Sequence, residues 1–189
     1  MSSVTERPRS FAPVVDSRTI AIAGMMLAFV FVMTWVPKVP FAGGYIHLGD
    51  AAIYAASFLF GPIVGVFAAA FGTAFSDLAA GYGNYAPGTF VIHGIQGLVV
   101  GFMAWRRGWQ AMVPAVIAGG AIVVGGYFVY QWLVLGEGRG PAIAALGMNT
   151  LQVTVGGILG IAVVLAVRRA YPPVASFGQP TVWEDQGPA

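Results

Sequence analysis

A small set of polar side chains breaks into otherwise apolar sequence: His47, Asp50, Asp77, Asn84, Tyr85, His93, Gln96, Tyr127, Gln131, Asn149 and Gln152. Burying such groups in an apolar medium is costly unless they are paired, so each is a candidate site residue. Phenols, amides and imidazoles in one place suit a mostly neutral, flat heteroaromatic ligand that stacks and hydrogen-bonds. Acid–base or metal chemistry by His47, His93, Asp50 and Asp77 is the competing reading, but their spacing matches no recognised ligand set. With no cysteine, thiol catalysis and thiolate metal sites are excluded. No catalytic residue, metal or cofactor is assigned.

Structural roles compete at each position. Asp50 follows Gly49 and precedes an apolar run, which fits an N-cap. Asp77 could pair with His93 or a tyrosine hydroxyl. Asn149 and Gln152 share a helix face, where hydrogen bonding between helices is the plain alternative. Tyr82, Tyr85 and Trp35 fit an interfacial aromatic belt.

The elements that must hold these groups are membrane helices. Of 189 residues, 58% are hydrophobic and 8% charged, against roughly a quarter charged in soluble domains. A net charge of +2, with basic residues at the ends of apolar runs, offers nothing for nucleic acid. Six apolar runs are expected to be helices, over about 19–36, 51–60, 63–80, 89–105, 112–135 and 142–167. Glycine, asparagine and proline mark turns at 81–88 and 136–141. The second run is short, about 17 Å against a hydrocarbon core of about 30 Å, so it must begin earlier or be shielded by protein. Strand-like alternation is missing, which excludes a barrel.

The expected fold class is therefore an all-α integral membrane protein, a bundle of six transmembrane helices with N and C termini cytoplasmic. Residues 1–17 form an N-terminal tail, 18–169 the membrane domain, and 170–189 a polar, disordered C-terminal tail. This topology puts Arg7, Arg9, Arg18, Arg106, Arg107, Arg168 and Arg169 inside and Lys38 and Arg139 outside, a positive-inside pattern. The polar set then falls in the outer halves of the helices, with the inner halves nearly free of it. That distribution describes a pocket open outward and closed below, not a channel.

Small residues with three others between them, in Gly24/Ala28, Gly97/Gly101 and Gly156/Gly160, permit close helix approach. Most should serve packing inside the bundle, whereas Ala21, Gly24 and Ala28 on the first helix could instead dock a partner.

The stretch His47–Gly101 resembles the substrate-binding S components of energy-coupling factor (ECF) transporters. The resemblance lies in Leu48-Gly49-Asp50, Phe60-Gly61-Pro62 with Gly65, Asp77, Tyr85-Ala86-Pro87, and Gly94, Gly97 and Gly101. It implies a multi-pass plasma-membrane protein that captures a vitamin-like micronutrient and performs no chemistry itself. It also implies partners: a transmembrane coupling subunit and two ABC-type ATPases, with Gly24 and Ala28 standing where the family carries a docking pair of alanines. Riboflavin-, B6- and cobalamin-like substrates all stay open. A small intramembrane enzyme and a structural assembly subunit are the alternative functions.

Overall fold

The computed structural model describes residues 17–37, 39–41 and 44–177. The expectations placed on Arg7, Arg9 and Lys38 lie outside the described residues, as do most of the N-terminal tail and residues 178–189.

Among the described residues six α-helices carry the fold: α1 (Ser17–Trp35), α2 (Gly49–Phe60), α3 (Pro62–Ala80), α4 (Ala86–Ala104), α5 (Trp109–Val129) and α6 (Arg139–Ala170). Among the described residues five spans are long and apolar enough to cross a membrane: α1, α3, α4, α6 and α5 together with the turn that continues it. The six apolar runs thus all form helices, within a few residues of the expected bounds. Two short strands were not expected: β1 (Val39–Phe41) and β2 (Gly44–Ile46) pair antiparallel in the loop after α1, with Val39 opposite Ile46.

The short helix is shielded by protein. α2 packs against α1, α3, α4 and α6, and every residue of it except Phe60 is buried. It also begins two residues earlier than its apolar run, at Gly49. Gly61, at φ 91°, turns the chain from α2 into α3, a backbone angle that L side chains avoid; Pro62 then opens α3 where a missing N–H costs nothing. α3 ends at Gly81 in the left-handed conformation, with the N–H of Tyr82 returning to the carbonyl of Asp77.

Prolines expected in turns lie instead in first helical turns: Pro87 in α4 and Pro141 in α6. The C-terminal segment also departs from expectation. A 3₁₀ turn at Pro172–Ser176 packs back on the bundle, burying Val174 and Phe177.

Glycine pairs set two helix contacts. A Cβ on Gly101 would lie 2.6 Å from the Pro62 Cα, and one on Gly97 would collide with the Gly65 carbonyl oxygen, so α4 lies backbone to backbone on α3. Likewise a Cβ on Gly156 or Gly160 would meet Asp50 Cβ at 2.5 Å or Tyr54 Cβ at 2.7 Å, so α6 is pressed onto α2. Both pairs serve the interior, as expected.

One end of the bundle gathers arginines. Arg18 stacks over the Phe177 ring, Arg106 donates to the Phe177 carbonyl at 3.2 Å, and Arg168 donates to the carbonyls of Arg107 and Phe58 at 2.9 and 3.0 Å. The start of α1 and the end of α6 therefore share an end. Above it lies an apolar cluster formed by Tyr54, Phe58, Leu59, Val100, Ala104, Met112, Ala115 and Val164.

Candidate functional site

The polar residues collect in the half of the bundle away from the arginines, and α2 supplies their centre. Asp50, in the first turn of α2 and fully buried, accepts a hydrogen bond on each carboxylate oxygen: from Gln96 Nε2 of α4 and from Gln152 Nε2 of α6, both at 2.8 Å. Three helices are thereby tied at one carboxylate. The Asp50 N-cap expectation is corrected, because α2 has no side-chain cap on its Leu48 N-cap and the carboxylate is engaged sideways. His47 supplies the local contact instead, its Nδ1 accepting the Gly49 N–H at 3.0 Å. Its own backbone N–H donates to Gln152 Oε1 at 3.2 Å, joining the loop after α1 to α6.

From Asp50 the network climbs one face of α4. Gln96 Oε1 meets His93 Nδ1 at 2.7 Å. The His93 ring lies between His47 and Tyr127, with centroids at 6.3 and 5.8 Å, and its Nε2 has no hydrogen-bond partner although the residue is fully buried. One turn nearer the helix start, the hydroxyls of Thr89 and Tyr127 pair at 2.7 Å. Another turn up, the Tyr85 hydroxyl donates to Glu137 and accepts from Gln131 Nε2 at 3.2 Å. Residues 85, 89, 93 and 96 follow helical spacing, so one stripe about 16 Å deep runs from the loop to Asp50.

The α5 side of this ladder ends in a π-helical turn, Tyr130–Val134. Its wider winding buries Gln131, whose Oε1 has no hydrogen-bond partner; such turns recur at functional sites. Tyr130 donates to the Asn84 carbonyl at 2.8 Å, closing the loop over the ladder. Burial, with Glu137 as an acceptor and the nearby charges of Glu137 and Asp77, pushes the Tyr85 phenol up to about 12.

The structure thus brings together His47, Asp50, His93, Gln96 and Gln152, and carries Tyr127, Gln131 and Tyr85 upward from them. Asp77 is buried near the end of α3, beside the loop and within electrostatic reach of Tyr85. Asn84 is exposed and contributes its backbone carbonyl; Asn149 is half-buried on α6, one turn before Gln152. Sequence reading missed Thr89 and Glu137. Thr89 was legible as the residue four before His93 on the same face, while Glu137 sits in a turn and needed the tertiary structure.

On α1, Ala21, Gly24 and Ala28 are all exposed, and a Cβ on Gly24 would meet nothing within 4 Å. Of the three small-residue pairs, this one alone faces outward.

With this geometry in place, the comparisons with known proteins are decisive. A family model described as the S component of the ECF-type riboflavin transporter matches residues 15–169. The chain belongs to that family of ECF S components. Among relatives, it is 36% identical over 118 residues to the thiamine precursor transporter HmpT of Lactococcus lactis subsp. cremoris (strain MG1363), covering 62% of this chain and 66% of that protein. It is 33% identical over 123 residues to an uncharacterized Pyrococcus woesei protein, covering 65% and 81%. Among solved structures, the S component for biotin from an ECF-type ABC transporter superposes with TM-score 0.61 at 17% identity, over 84% of this chain and 95% of that one. FolT bound with folic acid gives 0.58 at 19% identity, over 76% and 92%. These two share the fold. As an ECF S component the chain is a membrane protein and a transport subunit, which sets aside the intramembrane enzyme.

Proposed function

We propose that this chain is the substrate-binding subunit of an ECF-type transporter, capturing a small, neutral, flat heteroaromatic vitamin or vitamin precursor from outside the cell for ATP-driven uptake. The observation that carries the reading is the ladder from Tyr85 to Asp50, walled by α4, α5, α6 and the loop after α1 and floored by the apolar cluster below. Buried hydrogen-bonding atoms over an apolar floor suit capture rather than through-passage.

In this reading the bundle crosses the plasma membrane six times with both termini cytoplasmic and the arginine end inside, in keeping with the positive-inside rule. His47, His93, Gln96, Tyr127, Gln131 and Gln152 make the pocket, braced from beneath by Asp50, with Asp77, Asn84, Tyr85 and Asn149 at its rim. The exposed face of Ala21, Gly24 and Ala28 docks a transmembrane coupling subunit that carries two ABC-type ATPases. The substrate class is supported by the aromatic and amide lining, by the thiamine precursor in the relative's name and by the riboflavin in the family's.

Reconstitution with a coupling subunit and its ATPases tests the role. Accumulation of one compound from a panel of riboflavin, pyridoxine, biotin, folic acid and the two halves of thiamine, dependent on ATP and on this chain, is expected. A purely structural subunit would give no chain-dependent accumulation and no ligand-dependent thermal shift.

A further inference from the structure

Around Asp50 the chemistry of the partners fixes the direction of each hydrogen bond. A carboxylate only accepts, so Gln96 and Gln152 must both turn Nε2 toward Asp50 and Oε1 away. The Oε1 of Gln152 is then held by the His47 backbone N–H, a donor that cannot reverse. The Oε1 of Gln96 faces His93 Nδ1 at 2.7 Å, and an amide oxygen only accepts, so the imidazole proton is on Nδ1. A neutral ring in that tautomer carries a bare lone pair on Nε2, the buried atom with no partner. Gln131 Oε1 repeats the pattern higher in the ladder, a second buried acceptor without a donor.

We propose that the substrate presents an N–H or O–H donor to Nε2 of His93, and that Asp50 imposes this requirement without touching the substrate, by fixing Gln96 and through it the His93 tautomer. The inference rests on the capture role proposed above. The ligand class is an uncharged nitrogen heterocycle with a ring N–H, an exocyclic amino group or a hydroxyl on its buried edge. Asp50 is a positioning residue: it is fully buried, and each of its oxygens is bonded to a glutamine. Asp50→Asn should invert the site. Its amide must accept from Gln152, whose Oε1 stays committed to His47, and therefore donates to Gln96. Gln96 flips, donates to His93 Nδ1, and moves the ring proton to Nε2.

The experiment is ¹⁵N NMR of histidine-labelled full chain, together with binding of the panel's tightest compound and of its analogue with the donor replaced by fluorine. The chain has two histidines, and His47, accepting on Nδ1, serves as an internal reference for the opposite tautomer. Expected are Nδ1–H at His93 in the wild type, Nε2–H in Asp50→Asn, and a loss of about 100-fold for the fluoro analogue that shrinks or reverses in the variant. A wild-type His93 protonated on Nε2, or equal affinity for the two compounds, overturns this inference alone. If no panel compound binds and none copurifies, the capture role fails and the inference falls with it.

Discussion

Gly156→Ala tests how closely the site depends on the contact between α2 and α6. The new Cβ would stand 2.5 Å from Asp50 Cβ and 3.2 Å from the Ala51 nitrogen, against 3.4–4 Å for ordinary contact. Asp50 and Ala51 are held in a helix buried on all sides, so α6 must retreat by about 1 Å. Gln152 lies one turn away on the same face, and its 2.8 Å bond to Asp50 would stretch beyond hydrogen-bonding range. Overpacking costs about 1–3 kcal/mol and losing a bond to a charged acceptor about 1.5–3 kcal/mol, offset by about 1 kcal/mol of helix propensity. The net cost is about 1.5–5 kcal/mol, a fall in Tm on the order of 10 °C. Thermal unfolding in detergent, followed by tryptophan fluorescence, reads it. Gly147→Ala, on the same helix with nothing within 4 Å of its Cβ, is the control and should be neutral or slightly stabilising. Equal melting of the two variants would refute the packing argument.

Other substitutions separate the parts of the account. Gln152→Ala strands one oxygen of Asp50 and the His47 N–H, and should cost about 2–4 kcal/mol in stability and weaken ligand binding at least tenfold by calorimetry. Thr89→Val removes the hydroxyl paired with Tyr127 while keeping the side-chain shape; a several-fold weaker affinity with Tm nearly unchanged is expected. Gly24→Leu, on an open face, should leave Tm and ligand affinity unchanged but abolish co-purification with a coupling subunit, whereas retained co-purification would remove α1 as the docking face. The Tyr85 phenol, held up to about 12 against about 10 when unfolded, keeps its proton longer in the folded chain, so its contribution to stability is present below pH 10 and is lost as pH rises from there toward 12. An ultraviolet titration compared with that of Tyr85→Phe checks this, and a Tyr85 that ionises near pH 10 would contradict it.

The helices were legible because runs apolar on every face have few other solutions at these lengths. Proline was harder to read: Pro87 and Pro141 signal a turn and a helix start equally, and only the chain geometry decides. The β1–β2 hairpin is too short for any alternation to show. Within the site, the depth of His93, Gln96 and Gln152 was visible as polar residues in apolar runs, but their common partner was not. Asp50 looked like a cap because position alone suggested it. Its sideways engagement follows from α4 and α6 meeting at the start of α2, a meeting that Gly156 permits and that no local pattern encodes.

The most direct measurement is mass spectrometry of the small molecules that leave with the full chain purified in mild detergent. The account predicts one uncharged heteroaromatic compound at close to one per chain, retained by Gly147→Ala and lost from Gln152→Ala and His93→Ala. A chain that emerges empty from cells rich in such compounds and binds none on addition, or a compound kept undiminished by both site variants, would contradict it.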